Sequence, residues 1–308
     1  MLILLWGLKS DTPLAAVHAE LNRRGAPVVF LDQAEASSAE MKLWMGADVR
    51  GCLRIGEQVF DLSAITAAYV RPDDFRQLPR FASSGPGSDA WQRAAGLEER
   101  LWSWAEMTPA CVVSRPSAMA ANGSKAFQLR QIQTAGFRVP ATLVTTDPVA
   151  VREFWQQHGT VIYKSVSGVR SIVARLQPAD VARLEDVRHC PTQFQEYIEG
   201  TDHRVHVVGS DVFAAEVRTD ATDYRYPGGS AVEIVGVELP EEVADRCRRM
   251  ADSMRLPVAG IDLRRTPGGD WYCFEVNPSP AFTYYEQATA RPITAAVAAL
   301  LMSGGARP

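Results

Sequence analysis

Apolar positions along this chain alternate between two spacings. Leu2 to Leu5 is an unbroken apolar run with the look of a buried strand, and after a polar loop from Gly7 to Thr12 the residues Leu14, Val17, His18 and Leu21 recur at i, i+3, i+4 and i+7. That is one face of a helix, which Gly25 stops before Val28 to Leu31 resumes as strand. The chain therefore opens as a β-α-β unit. Its first loop, GLKSD, is neither a G-x-G-x-x-G nor a P-loop, so no nucleotide site is read there, and His18 is read as a structural member of the helix. Ala67 to Val70 predicts a further strand ending in Arg71-Pro72. Leu78 to Ala90 has loop composition, and Trp91 to Met107 predicts a helix packing through Trp91, Leu101, Trp102 and Trp104. These elements make an N-terminal α/β unit over residues 1–110.

A second unit is expected over 111–190. Cys111 to Val113 is a short strand, followed by a helix capped by Asn122 or Ser124, with Phe127, Leu129 and Ile132 as its apolar positions and Gly136 as its stop. Lys125 falls in its first turn, where the helix dipole disfavours a cation. Such a lysine either faces an anion or is simply solvated. Thr142 to Thr145 is a strand, and Asp147-Pro148 opens a helix running to about His158. Val161 to Lys164 alternates as a strand, and Ser165 to Gly168 is a small-residue loop whose amides can fold over phosphates. Lys164, immediately before it, is a compact charge matched to phosphate oxygens.

The third unit spans 191–308. Thr192 to Ile198 is a strand ending in Glu199-Gly200, after which Arg204, His206 and Val208 point one way and Val205 and Val207 the other. A turn at Gly209-Ser210 pairs this strand with Val212 to Arg218. Arg204 and Arg218 are read either as anion contacts or as a solvated sheet edge, and His203 and His206 lack metal-ligand spacing. Thr219 to Ser230 has the composition of a mobile loop, and Glu241 to Met254 is a helix packing through Val243, Cys247, Met250 and Met254.

The chemistry gathers at Gly260 to Pro280, which reads as two strands joined by a two-residue turn at Gly268-Gly269. Counting outward places Asp262 opposite Glu275, with Asn277 on the same face as Glu275. Facing carboxylates repel unless a cation lies between them, and an Asp, Glu and Asn oxygen set suits Mg²⁺ bridging to phosphates. The alternative is a solvated hairpin with an acidic outer face. After a turn at Thr289 to Pro292, Ile293 to Met302 is a closing helix.

Composition narrows the classes. The chain has 308 residues, too many for one compact core, with 46% hydrophobic and 22% charged positions as in ordinary globular proteins. A net charge of -4 excludes nucleic-acid binding through bulk charge. Five scattered cysteines without a C-x-x-C pair read as buried small hydrophobes in a reducing compartment. The N-terminal apolar run meets Lys9, Ser10 and Asp11 too soon for a signal peptide or membrane span, so the expectation is a cytoplasmic protein without membrane or nucleic-acid partners.

Taken in order, the helix-start Lys125, the strand Lys164 followed by VSG, the FQEYIEG stretch ending at Gly200, the D-H-R run from Asp202 and the D…E-x-N set resemble the ATP-grasp superfamily, and within it the RimK-type ligases. The segments YVRP, VPATLVTTDPVAVREFW and EVNPSPAFTYYEQATARPI resemble the graspetide synthetases, ATP-grasp maturases that crosslink side chains of ribosomally made precursor peptides. The resemblance implies an α/β fold, α+β in its C-terminal part, with a pre-ATP-grasp domain over 1–110 and two lobes, 111–190 and 191–308, sandwiching ATP. It implies Lys125 and Lys164 on the phosphates and a loop of Ser165, Ser167 and Gly168 over them. Gln195, Glu196, Tyr197 and Ile198 would form the adenine-holding hinge, and Glu199 or Asp202 would hold the ribose. Asp262, Glu275 and Asn277 would ligate two Mg²⁺ ions, with Mn²⁺ as a substitute. Arg204 and Arg218 would stabilise the acyl phosphate or γ-phosphate, and the Thr219 to Ser230 loop would close the site with Arg225 as a contact.

The implied reaction joins a carboxylate to an amine or hydroxyl through an acyl phosphate, the acceptor being a ribosomal precursor peptide, and related ligases form homo-oligomers. No protein nucleophile is needed, in keeping with the absence of a Ser-His-Asp or Cys-His arrangement. Two departures fall where the acceptor would sit: Ala290-Arg291-Pro292 stands where the peptide maturases often carry a glutamine, and Pro278 to Tyr285 differs from their glycine and glutamine. The competing classes are a small-molecule amino-acid or dipeptide ligase, a non-catalytic nucleotide-binding regulator and a hydroxyl phosphotransferase.

Overall fold

The computed structural model describes residues 1–46, 48–120, 125–166, 173–219 and 231–305, with the side chains of Lys125 and Ala126 excepted. The opening unit follows the apolar pattern. Strand β1 (Leu2–Gly7), helix α1 (Thr12–Arg23) and strand β2 (Val28–Asp32) form the expected β-α-β, with β1 and β2 parallel. Asp11 caps α1 by accepting from the Leu14 amide at 2.8 Å, and Leu14, Val17 and Leu21 are its buried face. His18 stacks on Phe30 at 5.0 Å, a packing role.

Next comes an antiparallel sheet that the sequence reading did not anticipate, made of β3 (Ala39–Met45), β4 (Val49–Ile55) and β5 (Gln58–Asp61). Strand β6 (Ile65–Arg71) returns beside β1, the short helix α2 (Pro79–Ala82) interrupts the stretch read as loop, and α3 (Asp89–Met107) begins two residues before Trp91. Ser88 caps it through the Trp91 amide. Strand β7 (Cys111–Val113) then completes a parallel sheet in the order β2-β1-β6-β7.

The middle of the chain holds α4 (Pro116–Met119), α5 (Lys125–Thr134), β8 (Thr142–Thr145), α6 (Pro148–His158), β9 (Val161–Ser165), β10 (Ala174–Arg175) and β11 (Thr192–Glu196). The strands form an antiparallel sheet in the order β10-β9-β11-β8. One face packs Val161, Phe194 and Tyr163 against Val151 of α6 and against Leu184 and Val187 of a 3₁₀ stretch. In α5, Ile132 is fully buried as expected, whereas Phe127 is 54% exposed and does not belong to the packed face.

The last sheet is antiparallel, β14-β13-β12-β15-β16, from β12 (Thr201–Val208), β13 (Asp211–Arg218), β14 (Glu233–Val237), β15 (Val258–Arg265) and β16 (Trp271–Asn277). Val208 pairs with Asp211, so the two-residue turn at Gly209-Ser210 is as read. Helix α7 (Glu241–Ser253) covers one face, burying Val243, Cys247 and Met250 against Val205, Val207, Ile261 and Leu263. The opposite face carries Arg204, Asp262 and Glu275. Helices α8 (Thr283–Thr289) and α9 (Ile293–Met302) close the chain, and α9 packs Val297 and Leu301 with Leu14 and Val17 of α1. All five cysteines are free. Cys247 and Cys273 are buried as expected, but Cys52 and Cys111 are half-buried and Cys190 is exposed. Among the described residues no helix is long and apolar enough to cross a membrane.

Candidate active site

The β15–β16 hairpin delivers its carboxylates by a route different from the simple two-residue turn. Thr266 and Asp270 close the turn, the Thr266 amide donating to the Asp270 carbonyl at 2.9 Å, so three residues lie between them, with Gly269 at φ 87°. The ladder then pairs Arg265 with Trp271, Arg264 with Tyr272 and Leu263 with Cys273. Continued unchanged, that register would set Asp262 against Phe274. A bulge at Phe274 shifts it by one, and Asp262 pairs with Glu275, and Gly260 with Asn277, as expected. The longer turn and the bulge offset one another.

Strand β12 adds a cation. Arg204 pairs with Asp262 and His206 with Gly260 across the β12–β15 ladder. The Arg204 Nη1 donates to Asp262 Oδ1 at 2.7 Å, its side chain 9% exposed against 33% for Asp262. Gly260 makes room for it, since a Cβ there would lie 2.2 Å from Arg204 Nη2 and 2.6 Å from Pro280 Cβ. Tyr285 sets its ring 5.8 Å from the guanidinium. Arg218 is elsewhere. Arg204 pairs with Ala215, and three residues further on, the period of two turns Arg218 to the other face, where it donates to Glu216 at 2.7 Å and to Glu233 at 3.4 Å.

The central sheet presents Lys164 opposite Gln193, with Gln195 on the same face, away from the α6 packing. Gln195 is buried and donates to Thr142 Oγ1 at 3.0 Å. Glu196 lies on the α6 side, accepting from the Ala141 amide at 3.2 Å, and the Tyr197 amide donates to the Thr160 carbonyl at 2.9 Å. Beyond them the chain is clamped by a residue absent from the sequence reading. Arg264 donates through Nε and Nη2 to both oxygens of Asp202, at 2.7 and 2.8 Å, and through Nη1 to the Ile198 carbonyl at 2.7 Å. Burial opposes its charge, but the hydrogen bonds and charge of Asp202 prevail and raise its pKa. Its plane lies 5.5 Å from the Tyr197 ring, which Arg175 approaches from 4.2 Å. Two residues past Asp262 on one strand, Arg264 shares its face, which was the available signal. Glu199 and Ser165 are exposed. Lys125 opens α5 as expected, while its side chain, Ser167, Gly168, Arg225 and all of the Thr219 to Ser230 loop but Thr219 lie outside the described residues, as do the caps Asn122 and Ser124.

Directly after the hairpin, the chain from Val276 to Ala281 is held by side chains from separate elements. Gln128 of α5 brackets Val276, donating to its carbonyl at 2.7 Å and accepting from its amide at 3.1 Å. Ser114 donates to the Pro278 carbonyl at 3.2 Å, and Asn277 Oδ1 accepts from the Ser279 amide at 2.9 Å. Arg71, itself paired with Asp11 at 2.8 Å, donates through Nη1 to Ser279 Oγ at 2.9 Å and to the Pro280 carbonyl at 3.1 Å. None of these anchors was legible in local patterns.

Two facing carboxylates and an amide oxygen are hard donors that fit Mg²⁺, which takes one or two carboxylates and completes its shell with phosphates and water. Among the described residues no group of three or more His, Cys, Asp or Glu side chains that could hold a metal ion is gathered. A cavity of about 560 Å³ between α9 and the β12–β13 turn is lined by Val208, Pro257 and Leu300 and by none of these groups.

Two antiparallel sheets, one bearing Lys164 and the other the oxygen donors, behind a parallel N-terminal sheet, make up the ATP-grasp fold. Residues 121–301 match the RimK-like ATP-grasp domain, and the chain belongs to that family of ligases. Its fold is similar to that of a RiPP-associated ATP-grasp ligase of Chryseobacterium gregarium in complex with ADP and a leader and core peptide (23% identity, 99% of this chain and 98% of that one, TM-score 0.83). It is similar also to the macrocyclase MdnC of Microcystis aeruginosa MRC bound with precursor peptide MdnA (21% identity, 98% and 100%, TM-score 0.81). The ATP-grasp ligase PsnB, complexed with a phosphomimetic variant of its minimal precursor, Mg and ADP, is 26% identical over 99% of this chain and 98% of that one, with a TM-score of 0.79. No curated protein matches the chain by sequence.

Proposed function

We propose that the chain is an ATP- and Mg²⁺-dependent ligase that activates a peptide carboxylate as an acyl phosphate and transfers it to an amine or hydroxyl, forming an amide or ester crosslink. The observation that carries this reading is the single sheet face on which Asp262, Glu275 and Asn277 stand with Arg204 bonded to Asp262. Mg²⁺ there would offset the negative charge of the nucleotide phosphates. Arg204 would do the same for the transferring group, as would Lys164 on the face of the central sheet opposite α6. The hinge Glu196 to Ile198 would hold the adenine, with Asp202 kept in place by Arg264. In the first half-reaction a carboxylate oxygen bonds to the γ-phosphorus and ADP leaves. In the second an amine or hydroxyl bonds to the acyl carbon, phosphate leaves, and the nucleophile's proton goes to solvent or phosphate.

The peptide substrate is supported by the peptide-bound ligases of the same architecture, and the anchored Val276 to Ala281 segment beside the oxygen donors is where the acceptor would lie. We place the three functional units at 1–110, 111–190 and 191–308, with β7 pairing into the sheet of the first and β11 into the sheet of the second.

The test is mass spectrometry of Thr-, Ser-, Lys-, Asp- and Glu-rich peptides incubated with protein, ATP and Mg²⁺, alongside ADP measurement. Loss of one water per bond formed, matched by ADP and abolished by Asp262→Asn or Glu275→Gln, is the expected result; hydroxylamine cleavage separates ester from amide. Nucleotide binding without ADP formation on any acceptor would make the protein a regulator, and a peptide gaining a phosphate would make it a phosphotransferase.

A further inference from the structure

His206 is 1% exposed, on the site face of β12, between the cation of the site and the segment that follows the oxygen donors. Its Nε2 is engaged by that cation. Arg204 Nε, which can only donate, lies 3.4 Å from Nε2, so Nε2 must offer its lone pair. An imidazole keeps at least one N–H, so the remaining nitrogen, Nδ1, must carry the proton. The Arg204 contact thus selects one neutral tautomer. Burial, and after it the neighbouring Arg204 charge, hold the imidazole's pKa well below its usual value against the pull of the Ala281 carbonyl. The rings of Tyr285 at 5.3 Å and Phe282 at 6.4 Å wall in the remaining faces.

Arg204 is in turn restrained on several sides. Its Nε meets His206, its Nη1 meets Asp262, and its Nη2 passes over Gly260 where no side chain would fit. A guanidinium is planar, so fixing Nε and Nη1 fixes the direction in which the whole group faces. The segment that carries Ala281 is the one pinned by Ser114 and Arg71. His206 therefore stands between the place where the acceptor would lie and the cation that would face the phosphates.

We propose that His206 is a positioning residue, an Nδ1–H imidazole whose Nε2 accepts from Arg204 Nε and so sets the plane of the guanidinium. The proposal rests on the ligase reading for its kinetic consequence but not for its tautomer. A buried residue kept only for packing could be leucine or phenylalanine; a side chain that must accept from a guanidinium could not.

Two measurements on the full chain test it. In ¹H–¹⁵N spectra of the wild type, the His206 ring should show a protonated Nδ1 and an unprotonated Nε2 that do not change with pH while the protein stays folded. An Nε2–H tautomer would overturn the proposal. In Mg·ATP turnover, His206→Leu should lower kcat about 10- to 100-fold with KM for ATP unmoved, as expected when a charged group near the reaction is misplaced. His206→Gln, which keeps one donor and one acceptor, should recover most of that loss. Leucine with wild-type kcat, or glutamine no better than a folded leucine variant, would reduce His206 to packing. Should His206→Leu fail to fold, the glutamine variant and the wild-type tautomer still decide. A wild type with no Mg·ATP turnover overturns the ligase reading instead, and the tautomer stands or falls on the spectra alone.

Discussion

Replacing Gly260 by alanine adds one methyl group where the structure leaves no space. The new Cβ would sit 2.2 Å from Arg204 Nη2 and 2.6 Å from the Pro280 ring, against the 3.4 Å at which ordinary contact begins. Pro280 cannot yield easily, because its carbonyl is held by Arg71. The guanidinium must then retreat by about 1.2 Å, and its 2.7 Å bond to Asp262 does not survive a shift of that size. Overpacking of this kind costs about 1–3 kcal/mol, which for a chain of this length lowers Tm by roughly 2–10 °C. Misplacing Arg204 should lower Mg·ATP-dependent ADP formation about 100-fold. Thermal unfolding and ADP formation, measured on Gly260→Ala alone and combined with Arg204→Ala, read both effects. In the Arg204→Ala background the destabilisation by Gly260→Ala should shrink, since only the Pro280 clash remains. A Gly260→Ala enzyme with wild-type Tm and turnover would show that Arg204 does not lie across the face of Gly260.

Three further outcomes are expected. Arg264→Met strips Asp202 and the Ile198 carbonyl of their donor and should cost about 3 kcal/mol in urea unfolding, with Asp202→Asn costing less; equal stability would dissolve the hinge clamp. Arg71→Lys keeps the charge but cannot serve Asp11, Ser279 and Pro280 together, so it should lose about 2 kcal/mol and reduce turnover, as measured by denaturation and ADP formation. Burial pushes the Cys247 thiol up to about 12 and the Cys273 thiol well above its usual value. The native chain therefore keeps protons that the unfolded chain releases above its ordinary thiol pKa, and stability must fall as pH rises from about 9 toward 12, by about 1.4 kcal/mol per pH unit for each thiol. Urea titrations across that range should show this decline, with Cys247→Ala removing one thiol's share, and a flat profile would contradict it.

Local spacing was enough for the β-α-β opening, for the hairpin at Gly209-Ser210 and for the strand that carries Lys164, because each depends on residues a few positions apart. It also placed Asp262 opposite Glu275, although through a two-residue turn, where the chain uses a three-residue turn and a bulge at Phe274 whose shifts cancel. The β3-β4-β5 sheet was not foreseen, and Phe127 fits the helical period of α5 yet faces outward, since period alone does not say what lies opposite.

What the sequence by itself determined is the set of chemical groups and the strands that bear them: two carboxylates and an amide on one hairpin face, an arginine on another strand and a lysine ahead of a small-residue loop. What only the tertiary structure decided is how those groups are held and which belong together. Arg204 joined them while Arg218 went to the opposite face, and the bonds from Gln128 to Val276 and from Arg71 to Ser279 span 148 and 208 residues of sequence. Periodicity reports the burial of a side chain's own face, whereas a buried donor finds its carbonyl only when distant strands and helices have packed.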